Sequence, residues 1–156
     1  MTRTTGLSHE EIADFIAGNP LFYSLPRPVV QSIAEKFQVR RFEPEEVIVR
    51  EGEPGDSFYL IREGHVHVVK YSDGRELVLA ELGLGEGFGE MALLIDQPRS
   101  ATIKALDPVE TLVLMRDDFS VLYRRLPDLA VQMNKLLEQR VSLLESEERQ
   151  GRDQEK

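Results

Sequence analysis

Between Gly83 and Thr102 the chain gathers the groups best suited to holding a ligand. Glycines at 83, 85, 87 and 89 let another molecule approach the backbone without a Cβ in the way. A helix beginning near Glu90 would aim unpaired backbone N–H groups, from about Ala92 and Leu93, toward an anion. Arg99 adds a planar, permanently charged fork matched to two phosphate oxygens. Ser100 offers a hydroxyl for a further hydrogen bond, and Met91, Leu93 and Leu94 would pin the helical turn to the core. Glu90 is out of place beside a phosphate unless it meets a donor, and a ribose 2′-hydroxyl is such a donor. One acid with one arginine suits a singly charged sugar phosphate. A triphosphate would want a lysine and a metal.

Other chemistries find less support. The glycine spacing is not a dinucleotide fingerprint, which would need glycine at Phe88 and a parallel βαβ setting, and no P-loop lysine and serine follow it. No serine sits in a nucleophile elbow, no paired carboxylates stand out for acid–base work, and the absence of cysteine removes thiol chemistry and disulfides. His65 and His67, two apart on one strand face, could start a metal site in a cupin-like barrel. The remaining histidine, His9, falls in a helix, and Val66 and Val68 take the opposite face, so both strand histidines are expected in solvent.

The elements that must position this segment can be read on either side of it. Ser8 to Glu11 fits a capping box ahead of a helix carrying Ile12, Phe15 and Ile16 on one face and stopped at Gly18-Asn19-Pro20. A second helix starts near Pro28, with Val29, Val30, Ile33, Ala34 and Phe37 on its apolar side. Short β-branched or aromatic runs then alternate with turn clusters. Expected strands are Phe37–Phe42, Val47–Arg50, Ser57–Arg62, His65–Tyr71, Leu77–Leu82, Ala101–Ala105 and Glu110–Met115, with a hairpin turn at Asp73-Gly74. Asp117 is expected to cap a short helix to Arg125, and Pro127 to open a longer one to about Arg149. The fold class is therefore mainly β with flanking helices: an antiparallel, jelly-roll-like β-roll with N-terminal helices and two C-terminal helices. Its expected divisions are a lead and helix over 1–18, a ligand-binding roll over 19–126, a lid or dimer helix over 127–149 and a disordered tail over 150–156.

At 156 residues, 41% apolar and 30% charged, the chain suits one globular unit. A net charge of −9 argues against phosphate-backbone binding as its main task, though not against one small anion in a local basic pocket. No apolar run reaches the roughly 18 residues of a membrane helix, and the N-terminus lacks a signal peptide's apolar region. A cytoplasmic location is expected.

The run Phe88-Gly89-Glu90-Met91-Ala92-Leu93-Leu94, followed by Pro98-Arg99-Ser100-Ala101-Thr102, resembles the phosphate-binding cassette of the cyclic nucleotide-binding domain family. That family includes cAMP-dependent kinase regulatory subunits, nucleotide-gated channels and bacterial cAMP-receptor transcription factors. Glu51 to Ile61, Glu63-Gly64 and Asn19-Pro20-Leu21-Phe22 are similar to its strand–turn–strand and N-terminal patterns, so the resemblance covers about residues 19 to 145. It implies that Glu90 accepts from the ribose 2′-hydroxyl and Arg99 binds the cyclic phosphate. Backbone N–H groups at Gly89 to Leu93, with Ser100, would complete the cradle. Family members that prefer cGMP often carry threonine at the Ser100 position, so serine points to cAMP.

Leu129, Met133, Leu136, Arg140 and Leu143 share one face of the last helix, with a charge inside an apolar stripe. Similar family members cap the purine from this helix, and a guanidinium can stack on a base, which makes Arg140 the lid candidate. The same spacing also fits a dimer seam. The expected function is a cyclic nucleotide sensor without catalytic residues, metal or cofactor, whose C-terminal helix shifts when ligand is bound. Its partner would be a second copy or a downstream effector. The alternatives are the regulatory part of a cAMP-receptor-type transcription factor, or of a channel or kinase, and a cupin-like metal enzyme. A helix-turn-helix should follow the long helix, where this chain ends, so DNA binding is not expected of it.

Overall fold

The computed structural model describes residues 7–95 and 97–139. Helix α1 (His9–Ala17) opens on the expected capping box: the Ser8 hydroxyl accepts from Glu11 N–H, and the Glu11 carboxylate accepts from Ser8 N–H, each at 3.1 Å. Asn19 then caps a single 3-10 turn over Pro20–Phe22. Helix α2 (Arg27–Ala34) carries its proline in the first turn, where a missing N–H does no harm. Strands follow as β1 (Gln38–Phe42), β2 (Val47–Val49), β3 (Ser57–Glu63), β4 (Val66–Ser72), β5 (Arg75–Leu82) and β6 (Gly87–Phe88). Helix α3 (Glu90–Leu94) interrupts them before β7 (Thr102–Ala105) and β8 (Val109–Met115), and α4 (Arg116–Arg125) follows directly. Residues 127–139 are helical, with Pro127 in the first position.

Two four-stranded antiparallel sheets result, ordered β1-β8-β3-β6 and β2-β7-β4-β5. In the first sheet β3 and β8 are buried on both faces, whereas the edge strand β1 is largely exposed. Phe58, Leu60, Leu112 and Leu114 pack against Ile12, Ile16, Phe22, Val30, Ile33 and Phe119 of the helical layer. Tyr59, Ile61, Val109 and Val113 turn the other way, toward Val66, Leu82, Ile103 and Ala105 of the second sheet. That explains why Ser57–Ile61 and Val109–Leu114 are buried without interruption rather than alternately. At one end of the helix-facing side sits a charge instead: Glu110, 4% exposed, lies between Arg41 Nε at 2.8 Å and Arg62 Nη1 at 2.6 Å. Two arginines satisfy a carboxylate that would be costly to bury alone.

Departures from expectation are local. Strand β6 is two residues long and glycine-rich, too short to show any period. Asp117 does not cap α4: Met115 holds the cap position with no side-chain bond, and Asp117 sits in the first turn, where its charge still favours the helix dipole. The Asp73-Gly74 hairpin is as expected, both residues taking positive φ (53° and 75°) between the paired Ser72 and Arg75. His65 lies just before β4, and the two strand-region histidines engage different carboxylates. His65 Nδ1 is 2.8 Å from Asp107, which raises its pKa, while His67 Nε2 is 3.4 Å from Glu81. Among the described residues no three metal-ligating side chains cluster.

Gly64 sets the approach of the β3–β4 turn to the loop before β8. Its φ is +89°, and an added Cβ would fall 2.8 Å from Asp107 Oδ1 and 3.0 Å from Val109 Cα. Gly52 shares the positive φ (+88°), but a Cβ added there would have nothing within 4 Å. Gly64→Ala should therefore destabilise the fold by about 2–4 kcal/mol, strain and clash together, against about 1–2 kcal/mol for Gly52→Ala. Urea unfolding midpoints of the two variants check the difference.

Candidate functional site

Arg99 organises the site. Its backbone is fastened to the turn after β2 by a reciprocal pair: Gly52 N–H donates to Arg99 O and Arg99 N–H donates to Glu53 O, each at 2.8 Å. Glu51 N–H adds a bond to the Thr102 hydroxyl at 3.0 Å. The side chain, on a residue 6% exposed, runs inward. Nη1 donates to Gly89 O and Nη2 to Ser57 O, both at 3.1 Å. Burial pushes the guanidinium pKa below its ordinary value, against the pull of Tyr59, Asp56 and Glu90, while Arg116 adds to the lowering. Arginine keeps its proton in proteins, so a positive charge is held in a largely water-excluded place.

Gly89 makes this seating possible. At φ +95° it adopts a backbone that side chains avoid, and a Cβ there would lie 2.7 Å from Ser57 O and 2.8 Å from Arg99 Nη1. The next residue, Glu90, starts α3 and is 1% exposed. Leu93 and Leu94 are partly buried against the helix-facing core, as expected, whereas Ile95 is 41% exposed. Ser100 follows Arg99 at intermediate exposure. The backbone of Met91 and Ala92 lies within α3. The structure thus brings Gly89 into contact with Arg99 and Glu90 close enough to act on its charge, while Arg99 alone of the described candidate residues lines the cavity beside it.

Beside the guanidinium lies a cavity of about 260 Å³ lined by Ile48, Val49, Arg50, Glu53, Pro54, Asp56, Tyr59 and Arg99. Its wall carries two arginines and two acids, a balance suited to a ligand of low charge rather than a polyanion. Among these residues there is no histidine, serine, cysteine or lysine to pair as nucleophile and base. Apart from Arg99, the lining escaped a reading by type and spacing, because it comes from β2, the following turn and β3, some 40 residues before the cassette. The available signal was the turn Glu51 to Asp56, whose two glycines and proline mark a shaped loop. Tyr59 is fixed by its ring, stacked on Phe88 at 4.8 Å and 8°.

Arg140 lies outside the described residues, so its position is not part of this geometry. The stripe that leads to it is partly accounted for: Leu129 and Met133, 3% and 1% exposed, belong to the core with Phe58 and Phe119. The Tyr123 hydroxyl donates to Asn134 Oδ1 at 2.8 Å, joining α4 to the last helix. No described helix is long and apolar enough to cross a membrane.

Comparison with known proteins agrees with the geometry. The family model of the cyclic nucleotide-binding domain matches residues 39–125. The cyclic AMP receptor protein of Thermus thermophilus is 38% identical over 125 residues, which cover 80% of this chain and 58% of that protein. The cGMP-dependent protein kinase, isozyme 1, of Drosophila melanogaster is 37% identical over 120 residues, 74% of this chain and 16% of the kinase. Among solved structures, the regulatory domain of Toxoplasma gondii PKA, crystallised with cAMP, superposes with a TM-score of 0.67 at 30% identity, covering 72% of this chain and 43% of that one. The chain therefore spans less than two thirds of each of these relatives. With a two-sheet roll, a cassette in the right order and a family match over more than half its length, this chain belongs to the cyclic nucleotide-binding domain family.

Proposed function

We propose that the chain is a regulatory sensor that binds one cyclic nucleotide, cAMP in preference to cGMP, and performs no chemistry on it. The observation that carries this reading is the Arg99 guanidinium, buried beside a cavity of modest net charge and fed by a glycine that only a bare backbone can occupy. A cyclic phosphate has one negative charge and two free oxygens, which one fork can match. Glu90 would accept from the ribose 2′-hydroxyl, while backbone N–H groups from Gly89 through Met91, Ala92 and Leu93, with the Ser100 hydroxyl, would complete the cradle. Helix α3 has five residues, too few for much macrodipole, so the weight of anion binding falls on Arg99. Serine rather than threonine at position 100 supports cAMP.

The output is a shift of the C-terminal helix, with Arg140 closing over the base. Its support is a line of contacts from β3 through α4 to that helix: Phe58 packs on Phe119 at 5.7 Å, Phe119 on Tyr123 at 6.2 Å, and the Tyr123 hydroxyl reaches Asn134 of the last helix. Phe58 adjoins Ser57, whose carbonyl holds Arg99. The helix would present its movement to a second copy or to an effector protein. The lengths of the relatives favour a second reading alongside, in which this unit regulates a larger protein of the transcription-factor, channel or kinase kind.

Titration calorimetry should show binding of both cyclic purines, with cAMP the tighter. Arg99→Ala should weaken it by about 2–5 kcal/mol, the penalty of leaving a buried charged group unpaired, and unchanged affinity would reject the site. Gly89→Ala, which displaces the guanidinium without removing it, should weaken binding at least about tenfold. Wild-type affinity in that variant would mean the guanidinium is not the anchor. Arg140→Ala should speed nucleotide dissociation by roughly 2- to 30-fold with the fold intact. An unaltered off-rate would assign the stripe to a dimer seam.

A further inference from the structure

Asn19 is a buried polar residue that the proposed ligand contacts leave unused. It is 4% exposed, between α1 and the 3-10 turn, and its amide works in both directions. Oδ1 accepts from Leu21 N–H at 2.9 Å, capping the turn. Nδ2 donates to the carbonyl of Gly85 at 2.6 Å, across 66 residues of sequence. Gly85, at φ +83°, occupies the loop between β5 and β6, which is itself tightly knotted. Gly85 N–H donates to Ile61 O at 2.8 Å, Ile61 N–H to Glu86 O at 2.9 Å, and Gly83 N–H to the Glu86 carboxylate at 2.9 Å. From that loop the chain passes through Gly87 and Phe88 to Gly89, whose carbonyl holds Arg99. The Asn19 amide therefore links the N-terminal helices to the glycine-rich approach to the guanidinium.

We propose that Asn19 is a positioning residue that couples the 3-10 turn to the ligand site, so that occupancy of the Arg99 pocket and order at residues 19–22 reinforce each other. The coupling rests on the ligand reading given above. Its physical basis is that a buried amide N–H₂ deprived of its carbonyl is costly, which ties the loop to one position relative to the turn. Coupling between two such sites must run in both directions with equal strength. Asn19→Asp separates the two bonds: a carboxylate oxygen still caps Leu21, but an acceptor now faces the Gly85 carbonyl. Asn19→Ser keeps a capping hydroxyl that is too short to reach Gly85. Ser8→Ala removes the α1 cap and leaves the tie intact.

Hydrogen exchange and stopped-flow binding, each with and without cAMP, test the proposal on the full chain. In the wild type cAMP should slow exchange at residues 19–22 as well as at the cassette. Both Asn19 variants should lose the remote protection and bind on the order of 3- to 30-fold more weakly, mainly through faster dissociation. Ser8→Ala should keep both. Wild-type affinity in the Asn19 variants, or retained protection at 19–22, overturns the proposal. If the wild type binds neither cAMP nor cGMP, the ligand reading fails, and the tie is judged without ligand. Faster exchange at residues 83–89 in Asn19→Asp then supports it, and unchanged exchange overturns it.

Discussion

A positive charge cannot be placed inside a protein without groups arranged to receive it, and the Arg99 guanidinium meets that demand with backbone. Carbonyls of Gly89 and Ser57 accept from it, and the main chain of Arg99 is bolted to the Gly52–Glu53 turn. Each partner is then constrained in turn. Gly89 must lack a side chain, Ser57 must open β3 in register with Met115 on β8, and the turn after β2 must present its N–H and carbonyl together. Carbonyl dipoles stabilise the charge without neutralising it, which leaves an electrostatic demand that an anion can meet.

The surrounding fold supplies rigidity where that demand is greatest. Strand β3 is covered on both sides, so the Ser57 carbonyl belongs to a strand with little freedom to shift. The second sheet is more open, with Leu77 and Val78 of β5 exposed near its edge. The cavity lies at the opposite edge, between β3 and β2, away from those exposed residues.

Local signals in the sequence served well and distant ones did not. The Ser8–Glu11 box, the Asp73-Gly74 hairpin and the order from Phe88 to Thr102 are each contained in a few adjacent residues, and each appears as read. Residue type alone misassigned Asp117, because β8 runs straight into α4 and leaves Met115 at the cap. The role of Glu110 depends on two arginines 48 and 69 residues away, and the second bond of Asn19 on a glycine 66 away. Such pairings become visible only when strand order is known. The cavity lining was hidden for the same reason: Asp56 and Tyr59 meet Arg99 through the fold, not through spacing.

Strand β3 acts as a partition. Phe58 and Leu60 look into the helical compartment, while Tyr59 and Ile61 look into the compartment between the sheets. One inserted or deleted residue within it would exchange the two sets, sending a tyrosine among the helices and a phenylalanine toward the ligand side. Substitution within either compartment can be absorbed by its own neighbours, but a change of frame disturbs both at once. Divergence between members of such a lineage should therefore accumulate as replacements along this strand, with gains and losses of length displaced to the β4–β5 hairpin.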